Sequence, residues 1–182
     1  MTVDVVFLHG AGTGAYAADA PLADSLALHL GDGFSMHLPR VPEQHDADER
    51  LWFDTIAAAL ADVRPPVVLV AHSAGGYRLL RYLASTRVTM PIAAICLIAV
   101  PFPGGDADWT FGGFELPGDL AHLLPADAAV RLYASEDDDV VPFAHRDLYA
   151  TAIPRAITRT TTGGHQLGED LRVVADDIRV LV

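Results

Sequence analysis

The sequence predicts a doubly wound, mostly parallel, six-stranded α/β sheet with helices on both faces. Two observations carry that prediction. Short apolar runs bounded by Gly, Pro and Asp alternate along the chain with longer segments of helical period. Two of these runs, Val67-Val68-Leu69-Val70 and Ile92-Ala93-Ala94-Ile95-Cys96-Leu97-Ile98, are apolar at every position, as strands covered on both faces are.

The elements follow in order. Val3–Leu8 is the first strand candidate, and Leu22, Leu26 and Leu30 mark a helix after it. Phe34–Leu38 is the second strand, followed by a helical stripe of Trp52, Ile56, Ala59, Leu60 and Val63. Val67–Ala71 is the third, and Tyr77, Leu80 and Ala84, flanked by Leu79 and Leu83, read as a nearly buried helix. Ala93–Ala99, Ala129–Ala134 and Ala156–Thr160 complete the strands. Pro142 is expected to open a short helix at its first turn, where a missing N–H costs nothing. Leu171, Val174, Ala175, Ile178 and Leu181 form the last stripe. A chain of 182 residues suits one domain over 1–182 and can bury a core without disulfides or metals.

Composition narrows the function. A formal net charge of −12 argues against nucleic acid and anionic membranes as partners. No apolar run approaches the roughly 20 residues of a membrane span. The single cysteine, Cys96, allows no intramolecular disulfide and fits a core position inside its strand. With no basic leader before Val3, a cytoplasmic protein is expected. The histidines are scattered, with no H-x-x-x-H or H-E-x-x-H pair, so neither metal nor cofactor is expected. Nothing in the sequence sets an oligomeric state.

In open parallel sheets ligands bind outside the carboxyl ends of the strands, so the loops after strands matter most. The third strand runs into Ala71-His72-Ser73-Ala74-Gly75-Gly76 and then a helix. That is one residue from the G-x-S-x-G nucleophile elbow, with Ala71 in place of the first glycine. The elbow holds a serine on a sharp strand-to-helix turn, so residues two positions away must be small. Ser73 in this position can also serve as a plain helix N-cap. His72 is expected to pack beside the elbow.

A serine hydroxyl needs a base, and the base needs an orienting carboxylate. The elbow architecture takes these in chain order Ser, Asp or Glu, His. After the fifth strand come Glu136-Asp137-Asp138-Asp139, in which a solvated acidic turn accounts for most of the four. After the sixth comes Gly163-Gly164-His165, a flexible turn presenting a histidine where the order requires one. After the first strand comes His9-Gly10-Ala11-Gly12-Thr13-Gly14. Its glycines do not match G-x-G-x-x-G, and no P-loop Lys-Ser or Lys-Thr is present, so phosphate binding is disfavoured. It suits an oxyanion hole instead, with one N–H from Ala11 and the other from Ala74.

Taken together, His9-Gly10, His72-Ser73-Ala74-Gly75-Gly76, Asp138-Asp139-Val140-Val141-Pro142 and Gly164-His165 resemble the α/β-hydrolase superfamily. The chain length and the tight Asp-Asp-x-x-Val-Pro resemble its compact branch, the retinoblastoma-binding-protein-nine and YdeN-like serine hydrolases. The resemblance implies Ser73 as nucleophile, His165 as base and Asp138 as acid, with Asp137 the second choice. It implies a carboxylesterase-like serine hydrolase of minimal α/β-hydrolase fold acting on a small acyl substrate. Two alternatives stand beside it: an interaction module of the same fold, and cofactor-free perhydrolase or lyase chemistry. The interval from Pro101 to Asp127 is too short for a full lid domain. Its Trp109, Phe111 and Phe114, with Tyr16 from the first loop, are candidate walls of an acyl pocket. The same aromatics could equally pack a long loop onto the sheet.

Overall fold

The computed structural model describes residues 2–41, 48–110 and 115–182. Six strands, β1 (Val3–Leu8), β2 (Phe34–His37), β3 (Val67–His72), β4 (Ile92–Ile98), β5 (Ala129–Ser135) and β6 (Ile157–Thr161), form one sheet. Their order is β2-β1-β3-β4-β5-β6, and every neighbouring pair is parallel. The helices are α1 (Ala15–Leu30), α2 (Glu49–Ala61), α3 (Ala74–Ser85), α4 (Leu120–Leu123), α5 (Ala144–Ala152) and α6 (Arg172–Leu181).

Every expected strand is present, with no end displaced by more than one residue. Ala99 does not extend β4 because its φ of 49° turns the chain out of the ladder. Its N–H still donates to the Tyr133 carbonyl at 2.8 Å. Ser135 extends β5 because it stays in register with Thr161 of β6. Pro142 lies just ahead of α5 rather than in its first turn, and its carbonyl accepts the His145 N–H at 2.9 Å. α1 begins well before its apolar stripe and carries Pro21 inside it.

Side chains alternate across the strands, so each buried strand feeds two cores. Val5, Phe7, Val68, Val70, Cys96 and Ile98 meet α1 and α6 through Leu22, Leu26, Val174 and Ile178. Val6, Leu8, Leu69, Ala71, Ile95 and Leu97 meet the other helices through Ile56, Leu79, Leu80 and Tyr149. Full burial of each such aliphatic side chain stabilises the fold by about 1.5–3 kcal/mol. This two-sided burial explains why the strands read as unbroken apolar runs.

Chain direction across the sheet reverses between β1 and β3: β2 lies on one side of β1 and all later strands on the other. At such a switch point the loops leaving neighbouring strands diverge and open a crevice at their carboxyl ends. The two loops concerned are His9–Gly14 and the turn at Ser73. Among the described residues no helix is long and apolar enough to cross a membrane.

Candidate active site

Ser73 sits between the last residue of β3 and the first of α3, with φ 51° and ψ −132°. That backbone conformation is costly for a residue with a Cβ and persists only where its surroundings enforce it. The Ser73 N–H donates to the Ile98 carbonyl at 2.8 Å, and its own carbonyl accepts from Gly76 N–H at 3.0 Å. The glycines after it are required by contact. A Cβ on Gly75 would lie 2.2 Å from the His9 carbonyl oxygen, and one on Gly76 would lie 2.3 Å from a Val100 methyl. Ala71, in place of the usual glycine, is fully buried between Leu8 and Leu97 in the sheet register.

His165 follows two glycines with left-handed φ, Gly163 at 101° and Gly164 at 68°. A Cβ on Gly163 would come within 2.4 Å of the Gly168 nitrogen. The turn brings the imidazole over Ser73, with Nε2 3.0 Å from Oγ. Nδ1 is 2.9 Å from Oδ2 of Asp138. A carboxylate only accepts, so Nδ1 carries the proton and donates it to Asp138. Nε2 is then left to accept from the Ser73 hydroxyl.

The acidic turn resolves residue by residue. Asp138 points inward, and its Oδ1 accepts the N–H groups of Val140 (2.8 Å) and Val141 (2.9 Å). Burial pushes its carboxyl upward, but the bonds from His165, Val141 and Val140 outweigh this and hold it below the usual aspartate range. Asp137 turns the other way. Both its oxygens accept the Gly163 N–H, at 3.0 and 3.1 Å, so it ties down the loop that carries His165 from an exposed position. Glu136 and Asp139 are exposed.

The loop after β1 passes directly beside the serine: a Cβ on Gly10 would lie 3.4 Å from the Ser73 Cβ. Ala11 is exposed in this loop, and Ala74 is the first residue of α3, where amides are not consumed by the helical ladder. His9 pins the loop. Its Nε2 accepts the Val41 N–H at 3.0 Å and its Nδ1–H donates to the Gly10 carbonyl at 2.7 Å. The Tyr16 ring stands edge-on to His9, with centroids 5.4 Å apart.

Trp109 lies half-buried in the loop after β4, its ring 6.4 Å from that of His145. Phe111 and Phe114 lie outside the described residues. The loop is braced by His145, a buried residue the sequence reading passed over. Its Nδ1 accepts the Phe102 N–H at 2.8 Å and its Nε2–H donates to Asp106 at 3.0 Å. Cys96 is fully buried, and burial pushes its thiol up to about 12. Among the described residues no group of three or more His, Cys, Asp or Glu could hold a metal ion.

Known proteins share this arrangement of elements. The Bacillus subtilis (strain 168) protein YdeN is 25% identical over 146 residues, 78% of this chain and 75% of that protein. The crystal structure of the B. subtilis ydeN gene product superposes with a TM-score of 0.75 at 22% identity, covering 99% of this chain and 98% of that one. The esterase RhEst1 from Rhodococcus sp. ECU1013 gives 0.69 at 16% identity, covering 98% and 90%. The esterase domain of a Rhodothermus marinus protein gives 0.68 at 17%, covering 98% and 84%. The serine hydrolase family model matches residues 35–170. The chain therefore belongs to the serine hydrolase family and shares the fold of the B. subtilis ydeN gene product.

Proposed function

We propose that this hydrolase cleaves small carboxylic esters through an acyl-enzyme on Ser73. The observation that carries the reading is the unbroken chain from Ser73 Oγ through both nitrogens of His165 to Asp138, at 3.0 and 2.9 Å. His165 Nε2 takes the hydroxyl proton as Oγ attacks the acyl carbon. Asp138 holds the ring in the required tautomer and stabilises the imidazolium that forms. The N–H groups of Ala11 and Ala74 receive the oxyanion, each worth about 10²–10³ in kcat. Collapse expels the alcohol, which takes the proton from His165. Water then attacks the acyl carbon, giving its proton to His165, and a second collapse returns that proton to Ser73 and releases the acid.

Esters are the substrate of choice by likeness to two neighbours described as esterases, RhEst1 and the R. marinus domain. A reducing cytoplasm suits a chain whose lone thiol is buried.

The test is labelling of the purified protein by a fluorophosphonate, alongside turnover of nitrophenyl esters. Wild type is expected to label and turn over, and Ser73→Ala to do neither. A folded wild type that labels no better than Ser73→Ala would overturn the reading and leave an interaction module of hydrolase fold.

A further inference from the structure

The face of α1 that packs on the sheet is apolar at Leu22, Ala23, Leu26 and Leu30, yet Asp19 lies on the same face and is 2% exposed. An uncompensated carboxylate there would cost several kcal/mol. Three donors meet it. Oδ2 accepts the Gly10 N–H at 2.7 Å and Nδ1–H of His72 at 2.8 Å, and Oδ1 accepts Nε2–H of Gln166 at 3.0 Å. These donors come from three places along the carboxyl edge: the loop after β1, the last residue of β3, and the loop after β6. The other nitrogen of His72, Nε2, lies 3.0 Å from the main-chain carbonyl oxygen of His165. His72 is itself 1% exposed.

Hydrogen-bond chemistry fixes the protons. A carbonyl oxygen only accepts, so His72 Nε2 carries a hydrogen. Asp19 already accepts two other N–H groups, which favours its ionised form, so His72 Nδ1 carries a hydrogen as well. Burial pushes the Asp19 carboxyl upward, but the bonds from His72, Gly10 and Gln166 bring it below the usual aspartate range. His9 differs: one of its nitrogens accepts from Val41, so one proton suffices there.

We propose that Asp19 and His72 are positioning residues for the base: a buried carboxylate–imidazolium pair whose Nε2–H holds the main chain of His165. This rests on the assignment of His165 as base to Ser73. The need for such a tether follows from the Gly163-Gly164 turn, whose backbone has more freedom than any other pair of residues would allow. Asp137 restrains that turn on its entry side, and His72 restrains it at His165 itself. A base displaced by about 1 Å loses on the order of 100-fold in rate.

Two near-isosteric amides separate the tether from mere packing. In His72→Gln the amide nitrogen reaches the Nε2 position and keeps the bond to His165. In His72→Asn it reaches only the Nδ1 position and keeps the bond to Asp19. On a nitrophenyl ester, His72→Asn is expected to lose about 100-fold in kcat with KM nearly unchanged, and His72→Gln to recover most of that loss. Equal losses in the two variants, or a loss confined to KM, would overturn the proposal. Nitrogen NMR of the wild type reads the pair without any variant having to fold. Both ring nitrogens of His72 are expected to be protonated at neutral pH, and a bare ring nitrogen would overturn the ion pair. A wild type that fails to label with fluorophosphonate defeats the esterase reading instead, and the NMR result still stands by itself.

Discussion

Two histidine–aspartate pairs lie at the carboxyl edge of the sheet with their rings 4.7 Å apart, and they differ in what faces the far nitrogen. His165 has Asp138 on one side and a hydroxyl on the other. The hydroxyl can donate, so one ring proton satisfies both contacts and a basic nitrogen is left over. His72 has Asp19 on one side and a carbonyl on the other. Both partners accept, so both nitrogens are occupied by protons and no base remains. Burial follows the same division, with the His165 side chain 14% exposed and the His72 side chain 2%. On the proposed reading, the same two residue types make a reactive site or a fixed strut, according to a single neighbouring atom.

The most severe way to break this contrast is at the reactive pair. Ser73→Ala or His165→Ala is expected to lower kcat by about 10⁵–10⁶-fold. Asp138→Asn should cost about 10⁴-fold, because the amide can stabilise the wrong tautomer of His165. Asp137→Asn should cost far less, since an amide oxygen still accepts the Gly163 N–H. Steady-state kinetics on one ester checks all four. A larger loss at Asp137 than at Asp138 would move the acid by one residue.

Stability should show the reverse ranking. Asp19→Ala leaves the His72 imidazolium buried and unpaired, a defect of about 3–5 kcal/mol. His165→Ala removes a partly exposed ring from a turn and should change unfolding by under about 1 kcal/mol. Urea unfolding of both variants measures this. Comparable destabilisation by the two would mean that His72 carries no charge.

A weaker effect appears in acid. Asp19 and Asp138 are both held below the ordinary aspartate value of 3.8 in the folded protein. A group with a lowered folded value binds its proton more tightly when unfolded. Its contribution is therefore complete above 3.8 and disappears as pH falls through the lower folded value. The contribution of these two carboxylates should be level near neutrality and fall away below about pH 4. Asp19→Asn should show a slope shallower by up to about one proton, or about 1.4 kcal/mol per pH unit. An unchanged slope would show that Asp19 is not ionised in the native state.

The two pairs were unequally legible in the sequence. Ser73 stands out because it follows a strand whose two-sided burial leaves an unbroken apolar run, His165 because it follows the last strand, and each sits in a glycine-rich turn that needs left-handed or crowded backbone. The acid was harder. Four consecutive carboxylates look alike until the tight turn sends Asp138 inward and Asp137 toward Gly163. His72 was read only as packing beside the elbow, because its partners at Asp19 and His165 are distant in sequence and meet it only through the fold. One signal did exist for Asp19: it interrupts the face of α1 that carries Leu22, Leu26 and Leu30, and a charge on an apolar stripe requires a buried partner. His145 and Asp106 carried no comparable signal, since neither lies in a recognisable motif.

The smallest predicted effect concerns the loop after β4, which a third histidine–aspartate pair holds. His145 accepts from Phe102 and donates to Asp106, whose other oxygen accepts the Asp108 and Trp109 N–H groups at 2.9 and 3.1 Å. The Trp109 carbonyl accepts from Gly104 at 2.8 Å, which closes the turn. The indole is therefore carried on a fixed backbone. If it limits the acyl pocket, each methylene it excludes corresponds to about 0.8 kcal/mol, or about fourfold in relative rate. Trp109→Ala should then shift the preference among nitrophenyl esters toward longer acyl chains. Gly105→Ala supplies the contrast. Its Cβ would lie 2.8 Å from His145 Nε2 and 3.0 Å from the Phe102 carbonyl, so it loosens the brace while leaving the indole in place. It should lower rates on all esters alike. A chain-length profile of unchanged shape in both variants would show that Trp109 packs the loop and does not meet the acyl group.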